Sequence, residues 1–303
     1  MQELNLQDIL DNTSDLKTKK VGYVAVIWRP NAGKSTFLNT LIGEKISITS
    51  KVPQTTRNKI LAIYNDEESQ VVFFDTPGIH ESTKKFNAEI NNQAISSLRD
   101  SEIVLYFIDS SRKDGEEETY IKKLLEFVNV PLFTVYTKMD LRAQREIMYG
   151  ENDFHISSET KEGFDKLMKR IISSLPEWPT LFPEDFYTKQ SLYFRISEII
   201  REKVFIHTKE ELPHSVFIAV EEVEESTTKD GKELLKIVAY VYTETESQKY
   251  IVIGKSGKLI TQIGKEARTE LEGVFGKKVF LALRAKTKKG WRKDEGFVKK
   301  MLG

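Results

Sequence analysis

Apolar residues in the first half of the chain come in short, nearly continuous runs separated by polar stretches of helical character. Residues 22–27, 60–64, 71–75, 104–109, 132–137 and 154–157 read as strands. The run Ile103-Val104-Leu105-Tyr106-Phe107-Ile108 has no polar break, the pattern of a strand covered on both faces. Helical runs lie between most of these strands, which predicts a doubly wound α/β sheet up to about Leu175.

The rhythm then changes. Pro176, Pro179 and Pro183 fall close together and predict a linker. Beyond them, Leu192, Ile196, Ile199 and Ile200 share one stripe, predicting an amphipathic helix over residues 191–203. Residues 215–223 and 234–242 read as strands joined by an Asp230-Gly231 hairpin turn. A Gly-Lys-Ser-Gly loop, a helix to Phe275 and a strand over 278–283 complete an α-β-β-α-α-β order. Ile251, Val252, Ile260, Ile263 and Leu271 are expected in its core. A chain of 303 residues is long for one core. Two domains are therefore expected: residues 1–180, with a polar extension over 1–19, and residues 181–303.

Charge sharpens this division. Lys plus Arg equals Asp plus Glu at 46 each, yet Ile251 to Gly303 holds 14 basic and 5 acidic residues. A basic end on an otherwise acidic chain fits a polyanion partner, or simply a solvated lysine-rich surface. There is no cysteine, which removes disulfide and thiolate chemistry and fits a reducing cytoplasm. No run approaches the ~20 apolar residues of a membrane span, and residues 1–20 lack the apolar core of a signal peptide. Four scattered histidines suggest no transition-metal site.

The candidate chemistry sits at strand ends. After the first strand comes Trp28-Arg29-Pro30-Asn31-Ala32-Gly33-Lys34-Ser35-Thr36, opening a helix. This is a phosphate-binding loop: backbone N–H groups and the helix dipole cradle phosphate, Lys34 neutralises the β- and γ-phosphates, and Ser35 ligates Mg²⁺. Trp28 stands where the motif has glycine, so the indole is expected to crowd the nucleotide or twist the loop. Thr56, in Gln54-Thr55-Thr56-Arg57, is a candidate Mg²⁺ ligand and γ-phosphate sensor. In Asp75-Thr76-Pro77-Gly78 the Asp would hold Mg²⁺ and the Gly78 N–H would read the γ-phosphate. In Thr137-Lys138-Met139-Asp140 the Asp140 carboxylate is placed to accept both N–H groups of a guanine edge, and a backbone N–H of Ser157-Ser158 to meet its O6. Lys34, Thr56 and Gly78 are thus the catalytic candidates, and Ser35, Thr56 and Asp75 the metal ligands. Residues 31–36, Thr137, Lys138, Asp140, Ser157 and Ser158 form the nucleotide site. Ile79 occupies the place of a water-orienting glutamine, so hydrolysis is expected to be slow.

In the basic region, Gly254-Lys255-Ser256-Gly257 followed by Lys258 matches the G-x-x-G loop of KH domains. Lys286, Lys288, Lys289, Trp291 and Arg292 are expected to form a basic tail whose cations meet phosphates and whose indole stacks on a base.

In this order the motifs resemble the Era family of bacterial GTPases from about Lys20 to Gly296. The resemblance implies a P-loop GTPase domain followed by a smaller α+β type II KH domain, with GTP/GDP and Mg²⁺ as ligands. It also implies 16S rRNA and the small ribosomal subunit as partners, no DNA, a monomer, and peripheral contact with the inner membrane. Thr137 replaces the asparagine of the family's Asn-Lys-x-Asp. A rival expectation is an RNA-binding assembly factor whose nucleotide site is impaired by Trp28.

Overall fold

The computed structural model describes residues 18–29, 31–47, 60–75, 98–184, 186–188, 190–208 and 212–290. The chain forms two compact units, one drawn from Met1–Glu44 and Thr56–Lys189, the other from Lys45–Thr55 and Gln190–Gly303.

The first unit is built on strands β1 (Thr18–Trp28), β2 (Ile60–Asn65), β3 (Ser69–Asp75), β4 (Ile103–Asp109), β5 (Leu132–Thr137), β6 (Asp153–His155) and β7 (Glu177–Pro179). The sheet order is β2-β3-β1-β4-β5-β6, with β7 against the start of β1. Pairing is parallel except at β2 and β7. Helices α1 (Lys34–Ile42), α2 (Glu116–Leu125) and α3 (Phe164–Ser174) alternate with the strands, and every residue of β4 is buried, as its unbroken apolar run requires. Phe37 of α1 lies 5.0–6.0 Å from the rings of Phe73, Phe107 and Phe164, with no exposed surface. Burying such a side chain contributes about 2–3 kcal/mol. It fixes α1 on the sheet, and with it the loop that leads into α1.

The proline-rich segment is not a free linker. Glu177–Pro179 pairs with Thr18–Lys20, and the Gln70 side chain accepts from the N–H groups of Leu181 and Phe182 and donates to Phe182 O. Proline is tolerated there because β7 is short and pairs on one side only. The strand expected over 154–157 is also shorter. Its end is drawn into a turn in which the Ser157 N–H donates to Glu162 O at 3.1 Å.

The second unit has a β8 (Phe217–Thr227) and β9 (Glu233–Thr243) hairpin turning at Gly231, whose φ is 76°. Strand β10 (Lys278–Thr287) adds parallel to β9. Helices α4 (Leu192–His207), α5 (Leu212–Ser215), α6 (Glu246–Ile253) and α7 (Lys258–Phe275) complete it. Ile196, Ile200 and Val204 of α4 and Ile263, Ala267 and Leu271 of α7 share one buried cluster with Ile237 and Val241 of β9. Their spacing of four places each set on one helical face. Ile251, expected in this core, is 55% exposed. Its neighbour Val252 takes the buried position, and consecutive helical residues point about 100° apart. No helix among the described residues is long and apolar enough to cross a membrane.

Candidate functional site

Strand β1 ends at Trp28, which pairs with Phe107 of β4 in ordinary extended backbone. The left-handed residues of the following turn are Asn31 (φ 69°) and Gly33 (φ 90°). Position 28 therefore does not use glycine's dihedral freedom here. The turn closes through Ala32 N–H to Arg29 O at 3.1 Å. It is anchored from outside by Arg29, which pairs with Glu117 at 3.1 Å and Glu118 at 2.7 Å and donates to Lys113 O. Gly33 caps α1, so Lys34, Ser35 and Thr36 form its first turn. The opening N–H groups of a helix lack intrahelical partners, and the dipole adds positive potential there. The Lys34 side chain is buried, and burial pushes its ammonium well below the usual lysine range. An anion beside it would restore the charged form. The Lys34 Nζ lies 4.1 Å from the centre of the Trp28 ring.

A second set of residues arrives from β5 and β6. Buried Thr137 places its hydroxyl 2.7 Å from Ala32 O and 3.2 Å from Ile108 O, so its one proton goes to the phosphate loop in the shorter contact. Threonine in place of asparagine thus keeps a tie between the two motifs. Thr137→Val, nearly the same shape, leaves that buried carbonyl without its donor at a cost of about 1–3 kcal/mol. We expect a lower unfolding midpoint and GDP binding weakened about tenfold, read by denaturant titration and calorimetry. Lys138, left-handed at φ 57°, extends its Nζ to Asp109 Oδ2 at 2.7 Å. Burial alone would raise the Asp109 carboxyl, but the hydrogen bonds from Lys138 and Ser111 and the lysine charge hold it below the ordinary carboxylate range. Asp140 is exposed, and its Oδ1 accepts from the buried Ser157 hydroxyl at 2.7 Å. That bond aims the carboxylate.

Lys34, Thr137, Lys138, Asp140 and Ser157 therefore all lie at the C-terminal edge of the sheet, where open α/β sheets bind ligands. Asp75 ends β3 at the same edge. Its side chain, and the residues Thr56 and Gly78, lie outside the described residues. The oxygen donors Ser35 and Asp75 suit a hard cation such as Mg²⁺. Among the described residues no group of three or more His, Asp or Glu forms a separate metal site. Sequence reasoning did not single out Asp109, Arg29 or Glu118. Asp109 carried a usable signal, since it closes an apolar strand as Asp75 does.

In the second unit Gly254 has φ 72° and ψ 175°, and Ser256 and Gly257 are also left-handed. A Cβ on Gly254 would stand 2.6 Å from Leu259 Cβ, so only glycine fits. Lys255, Ser256 and Lys258 are exposed on this loop. Beside it a groove of about 730 Å³ is lined by Ser256, Lys258, Thr261, Lys265 and Lys203, with Glu266 and Glu270 among its acidic neighbours. Lys286, expected in a tail, belongs to β10: its Nζ sits 3.4 Å from the centre of the Tyr240 ring and 3.8 Å from Glu221. The backbone pairing that continues past it, with Lys288 N–H to Thr243 O at 2.9 Å, keeps this stretch in the sheet. Lys289 is exposed, and Trp291 and Arg292 lie outside the described residues.

A glycine-lysine-serine loop between β1 and α1, an exposed carboxylate oriented by Ser157 after β5, and a G-x-x-G unit following on define a P-loop GTPase joined to a KH domain. Family models agree: one described as a 50S ribosome-binding GTPase matches residues 23–138, and one for the KH domain matches residues 211–292. The chain belongs to the Era family. It is 42% identical over 292 residues to GTPase Era of Treponema denticola, covering 92% of this chain and 98% of that one. It is 39% identical to GTPase Era of Borrelia garinii, covering 93% and 99%. Among solved structures it resembles an Aquifex aeolicus Era variant bound to GDP and AlF4⁻, at 33% identity and a TM-score of 0.82 over 93% of this chain and 98% of that one. It also resembles Era in complex with MgGDPNP and nucleotides 1506–1542 of 16S ribosomal RNA, at 33% identity and a TM-score of 0.83, with the same coverage.

Proposed function

We propose that this chain is a slow, guanine-specific GTPase that binds 16S rRNA and acts in assembly of the small ribosomal subunit. The observation that carries the nucleotide reading is the exposed Asp140 carboxylate, oriented by Ser157, on the sheet edge where the loop holds the buried Lys34. The backbone of residues 31–36 cradles the phosphates and Lys34 neutralises the β- and γ-phosphates. Thr137 and Lys138 hold the base-reading turn against the loop. Asp140 accepts the guanine N1–H and 2-amino N–H. The Ser157 N–H is used within its own turn, which makes the Ser158 N–H the donor to O6.

Ser35, Thr56 and Asp75 would hold Mg²⁺, which neutralises charge on the transferring phosphoryl group. Gly78 and Thr56 sense the γ-phosphate, so that GTP favours the RNA-competent state and hydrolysis to GDP and phosphate ends it. Ile79 cannot orient the attacking water, which keeps turnover slow. The RNA segment is single-stranded and lies over the Gly254–Gly257 loop, with Lys255, Lys258 and the lysines at the end of β10 on its phosphates. The relatives do not favour a purely RNA-binding factor with a silent G domain. The chain works in the cytoplasm as a monomer, with peripheral contact at the inner membrane.

The test is calorimetric titration of GDP, a non-hydrolysable GTP analogue and ADP, each with Mg²⁺. Micromolar binding of both guanine nucleotides with ADP at least about 100-fold weaker is the expected result. Equal binding of ADP and GDP would remove the guanine reading.

A further inference from the structure

We infer that Trp28 sets the nucleotide affinity of this chain by competing with phosphate for Lys34. The inference rests on the proposal that Lys34 is the phosphate-binding lysine, and adds how strongly that lysine is available.

Trp28 lies at the end of β1 and is 5% exposed, while Lys34 opens α1 and is 3% exposed. The β1 register with Phe107 and the loop's anchorage through Arg29 and Thr137 hold both ends of the pair. The ammonium stands 4.1 Å from the indole centre, well inside the ~6 Å range in which the negative face of an aromatic ring attracts a cation. Indole is the strongest such face among the aromatic side chains, and it favours the charged form of Lys34 against the burial that pushes this amine toward neutral. A nucleotide needs the same ammonium on its phosphate oxygens. Drawing Nζ off the ring weakens net binding, while glycine at this position would impose no such competition. The two side chains are six positions apart in sequence, on either side of one loop.

The prediction is a GDP affinity about tenfold weaker than the same loop would have without the π face, a difference of ~1.4 kcal/mol. Size and π character can be separated. With Trp178 and Trp291 changed to Phe, biosynthetic incorporation of fluorinated tryptophans alters the remaining indole alone. Fluorine withdraws electron density from the ring face with little change in volume. GDP affinity, measured by calorimetry with Mg²⁺, should rise stepwise from indole through mono- to trifluoroindole, by about threefold to tenfold over the series. The indole emission should also change as GDP binds, because the ammonium leaves the ring. Trp28→Gly, titrated alongside, reports the loop with no side chain at this position.

A flat fluorination series beside a functional Trp28→Gly would overturn the competition while leaving the guanine site standing. That pattern would mean that the indole acts through bulk alone. Failure of both the parent chain and Trp28→Gly to bind GDP would remove the nucleotide reading and this inference with it.

Discussion

Asp140→Asn should cost GDP binding about 100-fold or more and turn the site toward xanthosine diphosphate. The carboxylate accepts two N–H groups from guanine, and a hydrogen bond to a charged partner contributes about 1.5–3 kcal/mol. An asparagine offers one acceptor oxygen and an NH₂ donor. Set against guanine, that donor faces the 2-amino group, and two donors repel. Xanthine carries a carbonyl at that position and accepts the new donor. The Ser157 hydroxyl, 2.7 Å from Asp140 Oδ1, can still hold the amide oxygen, so orientation survives the change. Asp140 is exposed, so the thermal midpoint should move little. Competition titrations with both nucleoside diphosphates read the result. An equal loss for both, with stability unchanged, would show that Asp140 does not read the base.

The sequence was most legible where local chemistry coincides with a strand end. The phosphate loop, the Thr137–Asp140 turn and the Ser157-Ser158 turn each follow an apolar run, and periodicity placed those runs closely. The helix expected after the Gly-Lys-Ser-Gly loop and ending at Phe275 is observed over Lys258–Phe275, capped by left-handed Gly257 and Gly276. What was hidden depends on pairings far apart in sequence. Arg29 meets Glu118 and Lys138 meets Asp109 only once β1, β4 and β5 lie side by side. No window of local sequence contains such a pair.

Strand ends on the open face of the second sheet were also read short. Strand β8 runs on through Glu224 and Glu225, and β10 through Lys286, because charged residues are tolerated where one face meets water. The same effect disguised Lys286 as part of a tail. Prolines 176 and 179 suggested a break, yet Pro176 directly precedes β7 and Pro179 closes it, in a short strand where a missing N–H costs no ladder bond. At Trp28 the expectation has two arms, a crowded nucleotide and a twisted loop, and the backbone bears only on the second. The motif's glycine suggested a dihedral requirement, but that requirement falls on Asn31 and Gly33 instead.

Gly254→Ala should weaken RNA binding about tenfold or more and lower the unfolding midpoint of the second unit. Two costs combine. A side chain at φ 72° and ψ 175° is strained by roughly 1–3 kcal/mol. The added Cβ would also meet Leu259 Cβ at 2.6 Å, so the start of α7 must shift or the loop must open. Either movement displaces Lys255 and Lys258, which flank the turn. Loss of affinity through misfolding is separated by a second variant, Lys255→Ala with Lys258→Ala. Both lysines are exposed, so that change should leave stability nearly untouched. It removes two phosphate contacts, and the slope of log affinity against log salt should flatten by about 1.4 for a single-stranded RNA. A clamp made by the loop requires both results, measured on the full chain by fluorescence anisotropy across a salt series. If the lysine pair left the slope unchanged, phosphate would instead be held by the basic end of β10, and Lys286, Lys288 and Lys289 would carry the salt dependence.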